Sequence, residues 1–300
     1  MAFLLLYLAL GLSIALVWTR ITDSQTLPSW HLGMLLGRAP APNQYRPLTP
    51  YLAEAVRSLL PDQSVYTAYL VLRGAVTGVT LFCFDRYLRV WFTSSAAAAG
   101  AFFLAASIPF TFFRVVQESD PINLLVFVLA FWALALGRDL WLIPLVLIGA
   151  FNRETVAMIP ALYLIIRWAR EQPLRLAWRT LAIGASWAAV YGGLLLHYGA
   201  RKYYCDVVML PKNLESLSPT LFLVLVFGAV WVLAYMARRD GPEMLRRALW
   251  LVPPFILLHY LIAMVFEVRL FLPLAPILVP LAWCVVFPQD RRTTQGAAIA

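Results

Sequence analysis

The chain has 300 residues, 62% of them hydrophobic and only 13% charged, with a net charge of +9 and a mean hydropathy of +0.77. Soluble domains run at about a quarter charged, so the composition excludes an ordinary soluble protein and indicates an all-α, polytopic helical membrane protein. The positive balance does not indicate nucleic acid, because the basic residues are scattered between apolar segments and form no patch.

Three cysteines (Cys83, Cys205 and Cys284) imply no disulfide framework. The three histidines (His31, His197 and His259) lack the spacing of a zinc motif. Only two of the 24 basic residues are lysines, Lys202 and Lys212, a bias that suits a GC-rich bacterial genome.

Met1 to Trp18 is apolar, with no basic stretch ahead of it and no small-residue cleavage site before Thr19-Arg20. It reads as an uncleaved first span. Residues 19–64 form the longest polar stretch. Within it, Thr49-Pro50 has the form of an N-cap followed by proline at the first helical position. Tyr51, Leu52, Ala55, Val56, Leu59 and Leu60 then recur at helical spacing opposite Glu54, Arg57 and Ser58. That pattern predicts a helix at about 50–60 lying in the membrane interface.

Further apolar runs cover 65–84, 90–110, 121–137, 140–151, 155–168, 177–200, 220–237, 248–266 and 270–287, about ten transmembrane or re-entrant segments with the first. A helical crossing needs about 20 residues. Residues 140–168 are too few for two crossings, so they predict a short or re-entrant hairpin with Asn152-Arg153-Glu154 at its tip. Irregular backbone at membrane depth is tolerated only where it lines a cavity or is buried in protein. The shorter and more basic set of alternate loops is expected to be cytoplasmic. Both termini, including the tail 288–300, then face the cytoplasm, and residues 19–64 form an extracytoplasmic loop on a single membrane domain, 1–300.

This orientation gathers the distinctive polar groups on the outer side: Asp23, Tyr45-Arg46-Pro47, Glu118-Ser119-Asp120, Asn152-Arg153-Glu154, Tyr203-Tyr204-Cys205-Asp206 and Glu267-Val268-Arg269. The inner loops look like ordinary topology signals. Charges at membrane depth are costly and are usually paired. One reading is therefore that Arg153, Glu154, Glu267 and Arg269 neutralise one another. The other is that the arginines hold a phosphate or pyrophosphate, whose oxygens match a guanidinium fork, while the carboxylates orient them. Both can hold together. Asp120-Pro121 suits a helix start, which accounts for Asp120 better than for Glu118. Asp23 is placed where a general base or metal ligand could meet a lipid headgroup, although a lone loop aspartate is more often only solvated. Arg73, inside a span, is expected to pair with an acid or to snorkel. No phosphate-binding glycine loop, nucleophile–histidine arrangement or metalloprotease motif is found.

Three stretches, Tyr45-Arg46-Pro47-Leu48-Thr49-Pro50, Asn152-Arg153-Glu154-Thr155 and Glu267-Val268-Arg269-Leu270-Phe271-Leu272-Pro273, accompany an early outer aspartate and an acid pair at the next outer turn. Together they resemble bacterial membrane proteins related to the GT-C superfamily of polytopic glycosyltransferases. The resemblance implies a GT-C-like fold in the bacterial inner membrane and transfer of a sugar from a polyprenyl-phosphate donor to an extracytoplasmic acceptor. It further implies that Asp23 is the base, that Glu118 and Asp120 form a second acidic site, and that Arg153 and Arg269 clamp the phosphate. Tyr45 and Arg46 would line the donor entrance, with a divalent metal left open. The chain lacks the soluble C-terminal domain of larger members and carries a single aspartate after its first span. A transporter or lipid flippase, with a polar path through the membrane, and a non-catalytic scaffold, with every charge paired and no cavity, are the alternatives.

Overall fold

A computed structural model describes residues 2–22, 24–112, 117–204 and 206–291. These residues form fifteen α-helices joined by short 3₁₀ turns, with no strand among them beyond isolated bridges. The helices are α1 (Ala2–Ile21), α2 (Leu27–Leu35), α3 (Leu48–Leu59), α4 (Val65–Leu88), α5 (Ser94–Ser107), α6 (Asp120–Ala135), α7 (Leu142–Ala150) and α8 (Met158–Arg167). They continue with α9 (Pro173–Tyr198), α10 (Leu210–Leu214), α11 (Ser218–Phe227), α12 (Ala229–Met236), α13 (Glu243–Ala248), α14 (Val252–Ile262) and α15 (Ala275–Val286).

Among the described residues, six helical stretches are long and apolar enough to cross a membrane: Phe3–Ile21, Val65–Leu88, Ser94–Thr111, Pro173–Tyr198, Glu243–Ile262 and Val268–Val286. A seventh arises if α11 and α12, bent by 65° at Gly228, count as one span. Each of the ten expected apolar runs contains helix, but they do not give ten full crossings, because α6, α7 and α8 are shorter than a span. Apolar content alone does not reveal where a run stops being straight. Gly228 breaks 220–237 in a positive-φ conformation (49°) that side chains rarely adopt. The 121–137 run becomes α6, only 16 residues long. α7 and α8, with 9 and 10 residues, are the short hairpin that their sequence length requires.

The stretch Val268–Val286 is the central element and is almost entirely buried. Its prolines create a need that the neighbours meet. Pro280 has no N–H, so the carbonyl of Pro276 loses its helical donor, and the buried Tyr87 hydroxyl donates to that oxygen at 2.6 Å. Trp283 Nε1 donates to the Ala96 carbonyl at 2.9 Å, tying the same helix to α5.

α1 lies against α4 along a glycine seam. A Cβ on Gly11 would sit 2.4 Å from the Gly74 carbonyl oxygen and 2.4 Å from the Gly78 nitrogen, and one on Gly78 2.7 Å from Leu8 Cα. Gly74 and Gly78 are one helical turn apart, a small-xxx-small surface that lets two backbones touch. Because the obstacles are backbone atoms, Gly11→Ala is expected to cost about 1–3 kcal/mol through overpacking. It should lower the thermal unfolding midpoint in detergent, and an unchanged midpoint would contradict the seam.

α3 extends from Leu48, with Pro47 at its N-cap and no side-chain cap bond. The expected Thr49 cap is not made, because its hydroxyl is engaged elsewhere. Thr49, Pro50 and Ala53 are buried, whereas Tyr51, Leu52 and Leu59 stay exposed. α2 has no counterpart in the expected elements. Its buried His31 sits between Tyr69 (Nδ1 to hydroxyl, 3.0 Å) and Glu54 (Nε2 to Oε2, 3.0 Å), joining α2, α3 and α4. Arg57 and His31 together hold the Glu54 carboxyl down at about 2.

Candidate functional site

The tip of the α7–α8 hairpin organises the site. α7 ends as the amides of Asn152 and Arg153 both bond the Gly149 carbonyl, at 2.9 and 2.8 Å. Gly149 is needed here because a Cβ would lie 3.0 Å from both Val126 and Val156. The turn 154–157 then feeds into α8. At the other end, Arg167 of α8 bonds Asp139 at 2.5 and 3.1 Å, just before α7 starts. Arg179 reaches Asp139 at 3.4 Å and Glu171 at 3.1 Å. Both helices are thus pinned at the base, by acid–base pairs that the sequence presents as ordinary loop charges.

At the tip, Asn152 is fully buried. Thr49 donates its hydroxyl to Asn152 Oδ1 at 2.7 Å, and Asn152 Nδ2 donates to the Ser119 carbonyl at 2.8 Å. One amide thereby joins α3, the start of α6 and the hairpin. Nearby, the Thr155 hydroxyl donates to Asn123 Oδ1 at 3.1 Å.

Four arginines and four carboxylates surround this point. Arg46 binds Glu154 through both oxygens, with Nε to Oε2 at 3.0 Å. Arg153 pairs with Asp120 Oδ1. Arg269 Nε lies 2.8 Å from Asp120 Oδ2, and its Nη2 donates to Glu267 at 2.6 Å. Arg73 binds Glu118 through both oxygens, at 2.6 and 3.0 Å. The expected neutralisation among Arg153, Glu154, Glu267 and Arg269 is thus realised with two outside partners, Asp120 and Arg46. Only Glu267 and Arg269 pair within the set. Asp120 does not cap its helix: α6 begins at Asp120 with Ser119 at the N-cap and no side-chain cap bond. Its carboxylate is turned instead to two buried guanidiniums. Arg153 Nε, also buried, has no hydrogen-bond partner among the described residues.

A cavity of about 380 Å³ opens beside the tip. Arg46, Arg153, Glu154 and Glu267 form its charged end. Trp187 and Tyr191, one turn apart on α9, stack at 5.2 Å and 10° to form an aromatic wall. Met158, Leu258, Ile262, Met264 and Leu270 provide an apolar side. Tyr203, Tyr204, Val207 and Met209 also border it, and the chain on either side is tied down by the Ala41 amide on the Lys202 carbonyl (3.0 Å) and the Met209 amide on the Leu261 carbonyl (2.8 Å). Asp206 borders the cavity, and Lys212 at 2.7 Å keeps its carboxyl below the usual range.

The candidate residues therefore separate. Arg46, Arg153, Glu154 and Glu267 border the cavity, whereas Asp120, Asn152 and Arg269 stand behind them as supports. Tyr45 is buried. Its hydroxyl donates to the Gly199 carbonyl at 2.8 Å and accepts from the Arg201 amide at 3.0 Å, and it does not border the cavity. Glu118 is committed to Arg73 and is likewise not among the lining residues. Asp23 lies outside the described residues. Among the described residues no group of three or more His, Cys, Asp or Glu is arranged to hold a metal ion. Sequence reasoning missed Trp187, Tyr191 and His259. The i, i+4 spacing of the two aromatics was the available signal for the first two.

The fold and the cavity define a class: a protein whose described residues are helical, with six or seven candidate membrane spans among them and a charged, aromatic-walled cavity at the tip of a short internal hairpin. No protein-family model matches the chain, and no curated protein or solved structure matches it.

Proposed function

We propose that the protein is a GT-C-type membrane glycosyltransferase that moves a sugar from a polyprenyl-phosphate donor to an extracytoplasmic acceptor. The observation that carries this reading is the composition of the cavity. It joins two guanidiniums, a flat aromatic face and an apolar side within one space. Such a lining suits an amphiphile with a phosphate, a sugar ring and a hydrocarbon chain. The hairpin tip faces outward in the bacterial cytoplasmic membrane, with both termini in the cytoplasm.

Two features weigh against the alternatives. The buried side chains of the hairpin between its tip and Asp139, including Leu142, Val146, Ile159, Leu162 and Ile166, are apolar apart from Tyr163, whose hydroxyl is tied to Glu171 at 2.8 Å, so they offer no continuous polar path for a translocated ion or headgroup. The near-complete pairing of the arginines is what a scaffold would have, but a scaffold has no use for a cavity walled by charged and aromatic groups.

Native mass spectrometry with undecaprenyl phosphate, followed by transfer assays on a panel of radiolabelled polyprenyl-phosphate sugars, tests the proposal. Arg46→Ala removes a guanidinium from the cavity and leaves Glu154 facing the phosphate. Charge-assisted hydrogen bonds are worth about 1.5–3 kcal/mol, so lipid-phosphate affinity should fall about 10- to 100-fold. Absence of binding and of transfer by the wild type would overturn the reading.

A further inference from the structure

His259 is 3% exposed, near the C-terminal end of α14, and borders the cavity. Its ring is fixed on three sides. It stacks on Phe255 at 4.4 Å and 27°, and Phe271 lies 5.3 Å away at 51°. Nδ1 lies 2.8 Å from the Phe255 carbonyl oxygen.

That contact sets the tautomer. A backbone carbonyl only accepts, so Nδ1 carries the proton and Nε2 holds a lone pair in the neutral ring. Nε2 makes no hydrogen bond among the described residues, and it is not one of the sealed, unpartnered buried atoms. Among the described residues, the carboxylates that border the same cavity are all committed to cations: Glu154 to Arg46, Glu267 to Arg269 and Asp206 to Lys212. Asp120 and Glu118, behind the cavity, are committed to arginines too. The charged groups that act on the imidazole are Arg153 and Glu154.

We infer that His259 is the general base of the transfer proposed above, taking the proton of the acceptor hydroxyl at Nε2. The inference rests on that reading. In the step, the acceptor O–H bond breaks and its proton passes to Nε2. The acceptor oxygen forms a bond to the anomeric carbon. The bond from that carbon to the donor phosphate oxygen breaks, and its electron pair leaves with the lipid phosphate. Arg46 and Arg153 face the charge that develops there. The imidazolium then returns its proton to the departing phosphate or to water. The Phe255 carbonyl keeps Nδ1–H in place throughout, and the aromatic stack holds the ring, so Nε2 reaches the same point at each turnover.

His259→Asn tests the inference, because the asparagine amide preserves a donor toward the Phe255 carbonyl while removing Nε2. Three readouts are needed: thermal unfolding in detergent, undecaprenyl-phosphate binding by native mass spectrometry, and transfer from the polyprenyl-phosphate sugar that the wild type uses. Folding and lipid binding should stay within twofold of wild type while transfer falls at least about 100-fold, the lower end of what a general base contributes. The wild-type rate should decline at acid pH, where Nε2 is protonated, and the residual rate of the variant should lack that limb. Transfer retained in the variant, or the same acid limb in both proteins, would overturn the base assignment and leave the donor pocket standing. Lipid binding without transfer from any sugar in the panel would also overturn the assignment. A wild type that neither binds nor transfers would overturn both readings.

Discussion

Asp120→Ala is expected to destabilise the protein by about 3–5 kcal/mol, the usual cost of stripping one partner from a buried ion pair. Asp120, Arg153 and Arg269 are 6%, 4% and 4% exposed, so the lost carboxylate leaves a largely buried guanidinium without its counter-charge. The two arginines are not affected equally. Arg269 retains Glu267 at 2.6 Å, whereas Asp120 is the carboxylate within ion-pair distance of Arg153. The loss therefore arises mainly at Arg153, and that has a checkable consequence. Removing both members of a buried pair is often close to neutral, so Arg153→Met added to Asp120→Ala should recover most of the unfolding midpoint, measured by tryptophan fluorescence in detergent. If Asp120→Ala alone melts like the wild type, the carboxylate does not anchor the cluster. If the double variant is no better than the single one, the cost lies at Arg269 or in the start of α6.

The all-helical class was legible because a chain with so few charges and so many long apolar runs has few ways to satisfy its backbone. The short hairpin was legible for a simpler reason, since 140–168 is too short for two crossings. The gathering of Asp120, Arg153, Glu154, Glu267 and Arg269 at one place followed from counting alternate loops. Their pairing did not follow, because ion-pair partners depend on which helices are neighbours. Alternation in the chain does not say that Arg46 meets Glu154 or that Arg73 meets Glu118. The bend at Gly228 was hidden for a related reason, as hydropathy is uniform across it. The Gly11–Gly74–Gly78 seam was present as a small-residue spacing that goes unremarked until a partner helix is known. His259 carried no local signal at all. Its chemistry comes from a carbonyl one turn back and from a cavity built by distant segments.

Asn152→Leu is expected to destabilise the protein by about 1–3 kcal/mol, though Asn152 carries no charge. Leucine fills a similar volume but leaves the buried Thr49 hydroxyl without its acceptor. The Ser119 carbonyl loses its shorter bond and keeps the Asn123 amide at 3.1 Å. Asn152→Asp restores an acceptor for Thr49 but sets an oxygen against the Ser119 carbonyl, so it should not rescue the protein. Thr49→Val removes one bond and should cost less than Asn152→Leu. The double variant should fall short of the sum, since both changes break the same contact. Additive losses would mean that Thr49 and Asn152 act independently. The functional readout should move with stability. Asn152, the Arg46–Glu154 pair and the Leu48 amide on the Phe151 carbonyl (3.1 Å) are polar links between the first loop and the hairpin tip. Once the Asn152 amide is gone, the side-chain hold on this loop falls to the Arg46–Glu154 pair, and a bound phosphate competes with Glu154 for the same guanidinium. Lipid-phosphate affinity in Asn152→Leu should therefore drop even at temperatures where the variant is fully folded. Unchanged affinity there would show that Arg46 is positioned by its own loop and not by the hairpin.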